Sequence, residues 1–342
     1  MPSSLSWILQ WPWEVFPPRA KFGTGDIPDL TGRVALVTVR FSPLASCAGE
    51  RESLWTGAEG CTGREHRTRQ SDVQTNARVY LAARDPQKAA TAIADLLHTT
   101  GKECRFLHLD LADLGSVRRA GEEFLREEKQ LHLLFCNARG AMYVPMDQVT
   151  AQGYDMQFGT NVLGHAYLTM LLLPLLVETA AHSPAGAVRV VSDSSIYHTL
   201  AGRGGIRYDT LLDGPVRRKK LSTAAAYAQS KWANVVFAKE LARRYGEKGV
   251  VSTSLNPGII RTELLRHSAF HRAILNWSMF DADPEGALTQ LYAGTSPATA
   301  SAHGQYFIPL AREGVSRPDT YSEEAGRRLW EWIEQATAGV EA

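Results

Sequence analysis

An α/β chain, folded as a doubly wound parallel sheet of about seven strands with helices on both faces, is predicted by three observations. Short continuous apolar runs recur along the chain, helical stretches separate them, and no repeat or composition shift divides the 342 residues. Continuous apolar strands mark a sheet buried on both faces. An apolar share of 44% against 21% charged residues supplies one sizeable core.

The elements follow in order. Arg33–Thr38 (RVALVT) is the first strand, after a turn at Thr31–Gly32. Arg78–Ala83 (RVYLAA) is the second, and Pro86 stands near the start of a helix running to about Leu97. Cys104–Leu109 is the third strand, followed by a charged helix over about Leu114–Glu128, and Leu131–Cys136 is the fourth strand. A long helix is expected from about Tyr154 to Glu178, then a fifth strand at Val188–Ser192. A helix over about Ala224–Tyr245 leads to a sixth strand at Val250–Leu255, and Gly304–Pro309 is a candidate seventh. Residues 1–28 read as an N-terminal extension, 29–322 as one domain, and 323–342 as a helix and polar tail.

A formal net charge of +1 argues against nucleic acid or an acidic surface as partner. The basic run Arg217–Lys220 reads as a wet loop. The four cysteines match no zinc spacing; they read as free thiols in a reducing, cytoplasmic compartment, with Cys104 and Cys136 buried in strands. No metal is expected. The N-terminal stretch has no basic leader, and Gln10, Pro12 and Glu14 interrupt it. Its tryptophans are expected to dock on the domain, with contact to a membrane surface as the alternative. The apolar run Ala166–Val177 is short and contains Pro174, so it reads as a buried helix.

Ligands bind such sheets beyond the carboxyl ends of the strands. Asn161 in the long helix, Ser195 after the fifth strand, and the pair Tyr227 and Lys231 (YAQSK) stand there. Tyrosine and lysine four apart share one helix face, and the ammonium favours the phenolate. Such a tyrosine exchanges a proton with an alcohol or a developing alkoxide, while Ser195 orients the same oxygen. Hydride would pass to or from a nicotinamide. Tyr227 at the rim of a core and Lys231 on a solvated surface are the plain alternatives; the order strand–Ser195, helix–Tyr227/Lys231, strand–Asn256–Pro257–Gly258 favours the catalytic reading. A serine hydrolase is disfavoured because no G-x-S-x-G elbow follows a strand.

In this arrangement the chain resembles the short-chain dehydrogenase/reductase family, most closely its retinol-dehydrogenase-like and WW-domain-oxidoreductase-like branch in fungal form. The similarity spans Asp29 to about Gly314 and rests on LAARD (81–85), GYDMQFGTNVLGH (153–165), AYAQSKWAN (226–234) and NPGIIRT (256–262). The resemblance implies a Rossmann-like fold with Tyr227 as general acid/base and Lys231 on the nicotinamide ribose. Ser195 would hold the substrate carbonyl, and Asn161 a water that relays protons. It implies that Asp110 meets the adenine and Thr262 the nicotinamide amide or a phosphate, although each also fits a helix cap. Asn137, Ala138, Gly140, Pro257 and Gly258 would line the cofactor. At the end of the second strand, where an acid would select NAD, stand Ala83 and Arg84; this favours NADP(H), with a surface role for Arg84 as the alternative.

The chain departs from the family pattern on its cofactor half. The first strand should run straight into the glycine-rich phosphate loop. Instead an irregular insertion at about 39–56 intervenes before TGAEGCTG, in which Gly57 and Gly63 fall at the outer glycine positions and Cys61 at the middle one, next to Gly60. The following REHRTRQSDVQTN carries a single aliphatic residue, too few for a buried stripe. Arg139 interrupts the expected N-A-G of Asn137, Ala138 and Gly140. Two explanations stand: a protein that has lost cofactor binding and serves as a scaffold or pseudoenzyme, or a faulty translation, which the abruptness favours. Residues 259–283 read as a lid rich in large apolar side chains such as Leu264, Phe270, Trp277 and Phe280, suited to a lipophilic alcohol, aldehyde or ketone; core or a dimer face is the alternative. The resemblance also implies a homodimer formed through the long helices.

Overall fold

The computed structural model describes residues 6–39, 76–138, 142, 144–258 and 285–341. Its sheet has the strands β1 (Val34–Thr38), β2 (Arg78–Ala83), β3 (Cys104–His108), β4 (Leu133–Cys136), β5 (Val188–Asp193), β6 (Val250–Leu255), β7 (Tyr306–Ile308) and β8 (Arg312–Gly314). Their order is β3-β2-β1-β4-β5-β6-β7-β8. All neighbours are parallel except β7 and β8. The doubly wound sheet is therefore as expected, with one strand more than the sequence suggests. That strand, REG, has no apolar signature, because it is an edge strand held by backbone pairing to β7. The chain reverses direction across the sheet between β1 and β4, which opens the crevice beyond their carboxyl ends.

The described helices before β6 are α1 (Ser6–Leu9), α2 (Trp11–Val15), α3 (Pro86–Thr100), α4 (Leu114–Glu127), α5 (Met156–Phe158), α6 (His165–Ala181), α7 (Pro215–Lys220) and α8 (Thr223–Tyr245). Two more helices, Glu285–Thr295 and Glu323–Thr337, follow β6. Asp85 caps α3 by accepting the N–H groups of Gln87 and Lys88, and Gly101 ends it at a φ of 70°. Asp113 caps α4. The long helix predicted from Tyr154 is in fact α5, a π-helical turn at Gly159–Gly164, and α6. An apolar window in Met156–Ala181 has a mean hydropathy of 1.5 and is long enough to cross a membrane, yet 72% of it is buried in the domain. It is a core helix, packed beside Leu36, Leu134 and Val190 of the sheet.

The C-terminal helix buries Leu329, Trp330 and Ile333 against α8 and α6, and Trp330 stacks on Phe237 at 5.7 Å between ring centres. It therefore covers part of the long-helix surface named above for a dimer. At the other end of the chain, Phe22 packs with Leu288, Leu291 and Leu310. The N-terminal tryptophans dock only in part: Trp7 and Trp11 are half-buried. Trp13 is exposed, with Ile8, Leu9 and Phe16 also exposed among the described residues, while the segment is held by Gln10 and the buried Glu14. Cys104 and Cys136 are free and buried as expected, and burial pushes both thiols up to about 12, which keeps them inert.

The run Arg217–Lys220 is helical rather than a loop, and Arg218, Lys219 and Lys220 are solvated as expected while Arg217 is not. It forms α7, and Arg217 is among the most buried side chains, with 1% exposure. The sequence signal fails because its partners, the carboxylate of Asp155 and the carbonyls of Met146 and Gln148, lie far away in the chain.

Candidate active site

β5 ends at Asp193, and the chain turns through Ser194 and Ser195 into a short 3-10 turn at Ile196–Leu200. Ser195 caps that turn, its Oγ accepting the Tyr197 N–H at 3.3 Å. Helix α8 is capped by Ser222, whose Oγ accepts the Ala225 N–H, and its buried face carries both Tyr227 and Lys231. Lys231 Nζ donates to the Asp193 carbonyl at 3.0 Å and lies 3.5 Å from Asp193 Oδ2. It is 5.7 Å from the centre of the Tyr227 ring, which meets the Tyr197 ring edge-on at 5.4 Å. Asn234 Nδ2 donates to the same Asp193 carbonyl at 2.8 Å, and Ser194 Oγ donates to the Lys231 carbonyl at 2.7 Å. Three side-chain bonds thus fix the register of α8 against the end of β5.

Asn161 sits in the π-helical turn, a local widening that often marks functional sites. Gly164 permits it: a Cβ there would lie 2.5 Å from the Leu111 carbonyl oxygen. Asn161 Nδ2 donates to Ser230 Oγ at 3.0 Å, and Ser230 Oγ donates to the Tyr227 carbonyl at 2.8 Å. A cavity of about 10 Å³ lies between Asn161, Asp193, Asn234 and His165, at the threshold of one water molecule.

His165 ties this turn to the crevice. Its Nδ1 lies 3.1 Å from the Asn161 carbonyl oxygen and must donate to it, so in the neutral ring Nε2 accepts. Thr38 Oγ1, 2.9 Å away at the end of β1, is then the donor to Nε2, and it also accepts the Ala138 N–H at 3.0 Å. Burial pushes His165 down to about 4, and burial does the same to His198. An unfolded histidine takes up its proton near 6.5. Between those values the unfolded chain binds protons that the folded chain refuses, so stability falls as the pH is lowered from 6.5 toward about 4. The urea midpoint should drop across that window; a constant midpoint would show that these rings are protonated in the folded protein.

On the cofactor half, Arg84 and Asp110 stand side by side at the ends of β2 and β3, as a solvent-screened ion pair at 3.9 Å. Asp110 Oδ1 accepts the Ala112 N–H in a local turn; the cap of the following helix is Asp113 rather than Asp110. Asn137 and Ala138 follow β4, both buried. Neither side-chain polar atom of Asn137 has a hydrogen-bond partner among the described residues. Pro257 is buried, and Gly258 turns the chain at a φ of 100°. Gly57, Gly60, Gly63, Arg139, Gly140 and Thr262 lie outside the described residues, as do the insertion at 39–56 and the lid at 259–283. Sequence reasoning assigned no role to Thr38, His165, Asp193 or Asn234. His165 and Asn234 end two of the stretches that carry the resemblance, which was the available signal.

The residues present suit a dinucleotide. A buried, unsatisfied amide at Asn137 is a costly group that a bound polar ligand would satisfy. A guanidinium stands just past the end of β2, and an ammonium at the end of β5.

The sequence model of the short chain dehydrogenases matches residues 54–208. A short-chain dehydrogenase/reductase of Armillaria gallica is 49% identical over 322 residues, 94% of this chain and 95% of the relative. Retinol dehydrogenase 12 of Homo sapiens is 38% identical over 280 residues, 80% of this chain and 82% of the relative. Among solved structures, an uncharacterised protein of Mycobacterium paratuberculosis superposes with a TM-score of 0.63 at 27% identity, covering 92% of this chain and 97% of that one.

Proposed function

The chain belongs to the short-chain dehydrogenase/reductase family of nicotinamide-dependent oxidoreductases, in its retinol-dehydrogenase-like branch, and from that premise we propose that it interconverts a lipophilic alcohol and its aldehyde or ketone with NADP(H). The observation that supports the reading is Lys231, bonded to the end of β5 and 5.7 Å from the Tyr227 ring, with Ser195 in the turn that follows β5 and Asn161 bonded to Ser230 of the same helix. Bound there, the nicotinamide would supply or accept the hydride. Asn137, Ala138, Lys231, Pro257 and Gly258 would hold its nicotinamide half, and Arg84 and Asp110 its adenosine half. The glycines 57, 60, 63 and 140 and Thr262 are assigned to the same cofactor by the sequence alone.

In the reductive direction Ser195 Oγ donates to the substrate carbonyl and orients it. The Tyr227 hydroxyl gives its proton to the developing alkoxide, and the Lys231 ammonium stabilises the phenolate left behind. Asn161 and the water-sized cavity beside it provide the route by which that proton is restored. The oxidative direction reverses each transfer. The large apolar side chains of residues 259–283 support a lipophilic substrate, and the exposed Ile8, Leu9, Trp13 and Phe16 support peripheral contact with a membrane surface.

Titration of the folded chain with NADPH and NADH, followed by nucleotide fluorescence, tests the reading. Saturable NADPH binding is expected, and absence of binding by either nucleotide would return the chain to the scaffold reading. Arg84→Ala should weaken NADPH by about tenfold (roughly 1.4 kcal/mol) and leave NADH unchanged. Equal loss for both nucleotides would remove Arg84 from phosphate recognition.

A further inference from the structure

Glu14, in the N-terminal extension, is a carboxylate with 2% exposure and no role in the chemistry above. Burying a carboxylate is costly unless its oxygens are bonded. Here both are. Oε1 accepts from Gln10 Nε2 at 2.6 Å, and Oε2 accepts from Asn256 Nδ2 at 2.7 Å. Burial raises the acid's pKa, and these two bonds and Arg312 oppose the shift. Gln10 in turn clamps the backbone of Val315, and Arg312 donates to the Trp13 carbonyl, so the carboxylate is anchored from both sides.

Asn256 closes the sixth strand. Its backbone N–H donates to Phe307, and its Oδ1 accepts the Gly258 N–H at 3.1 Å. The side-chain amide thus bonds Glu14 at one end and the turn at Pro257–Gly258 at the other. Gly258 has a φ of 100°, one of several conformations open to glycine, so a bond to its N–H helps to select it. The Tyr306 hydroxyl is pushed well above its usual value by burial first, and further by Glu14 and Asp193.

We propose that Glu14 is a positioning residue: it orients the Asn256 amide, and the amide holds the Pro257–Gly258 turn in the conformation that receives the nicotinamide half of the cofactor. The proposal rests on the cofactor reading of the preceding section for its last step only. The extension then acts on the cofactor turn through one side chain, in addition to its bonds with Arg312 and Val315.

Three variants decide it. Glu14→Met keeps the volume but removes the acceptor; Glu14→Gln keeps an acceptor for Asn256; Phe22→Ala loosens the extension at its other anchor, where Phe22 packs edge-on against Tyr292. Amide exchange at Gly258 and the Kd for NADPH are measured in each, alongside the urea midpoint. Glu14→Met should speed Gly258 exchange and weaken NADPH by about tenfold each, as expected for losing one charged hydrogen bond. Glu14→Gln should restore both, and Phe22→Ala should lower only the midpoint. Unchanged Gly258 exchange in Glu14→Met would overturn the relay, as would an equal rise in Phe22→Ala, which would make the extension a mere brace. If the unmodified chain binds neither nucleotide, the cofactor reading fails and takes the last step with it; Gly258 exchange still decides the link from Glu14 to the turn.

Discussion

Tyr227→Phe is expected to lower turnover by about a thousandfold with the best substrate from a panel of lipophilic aldehydes and ketones, because it deletes a general acid while keeping the ring. The ring itself is part of the packing. Tyr227 is buried against Tyr197, and the Tyr227 carbonyl, which Ser230 binds, belongs to the backbone and survives the change. The variant should therefore fold normally and keep the NADPH affinity of the parent within about twofold, a difference well below 1 kcal/mol. Single-turnover kinetics together with a fluorescence titration separate the two effects. Turnover that survives in the phenylalanine variant would remove Tyr227 from the chemistry. Loss of NADPH binding in step with turnover would instead show that the hydroxyl supports the cofactor site.

The largest effect on stability should come from Arg217→Met. Arg217 and Asp155 form an ion pair at 2.9 Å with 1% exposure on each side. The guanidinium also donates to the carbonyls of Met146 and Gln148 and to Asp213. Asp155 has a second duty, since its Oδ1 accepts the Gln157 and Phe158 N–H groups that open the helix leading to Asn161. Removing the cation leaves the buried Asp155 carboxylate without its charged partner and two partly buried carbonyls without a donor, so a loss of about 3–5 kcal/mol is expected. Urea denaturation measures it. The double variant Arg217→Met with Asp155→Asn should lose less than the single one, because no buried charge is then left unpaired. A single variant as stable as the parent would show that water reaches the pair and that the burial seen here carries no energy.

The sheet was legible because a strand buried on both faces has to be apolar throughout. VALVT and LLFC announce themselves in that way, and seven of the strands fall within a residue or two of expectation. The Tyr227–Lys231 pair was legible because four residues of helix place two side chains on one face with no help from the rest of the molecule. The three-residue edge strand β8 gave no signal, since backbone pairing alone makes it a strand.

Other assignments depended on partners remote in the chain. The sequence marks Arg217 as one of four basic residues in a row. Only the fold brings the Asp155 carboxylate to it and withdraws it from water, while its neighbour Arg218 stays exposed and pairs with Asp213. His165 reads as one letter of NVLGH until the fold sets Thr38, from a strand more than a hundred residues earlier, against its Nε2. Glu14 looks like a break in an apolar leader until Asn256 meets it. The sequence by itself determined the class of sheet and the placing of Tyr227 and Lys231 on one helix face, because periodicity and helical spacing are local. Tertiary structure alone decided which charges are buried and which hydrogen bonds hold the site, because those depend on groups that meet only when the sheet closes.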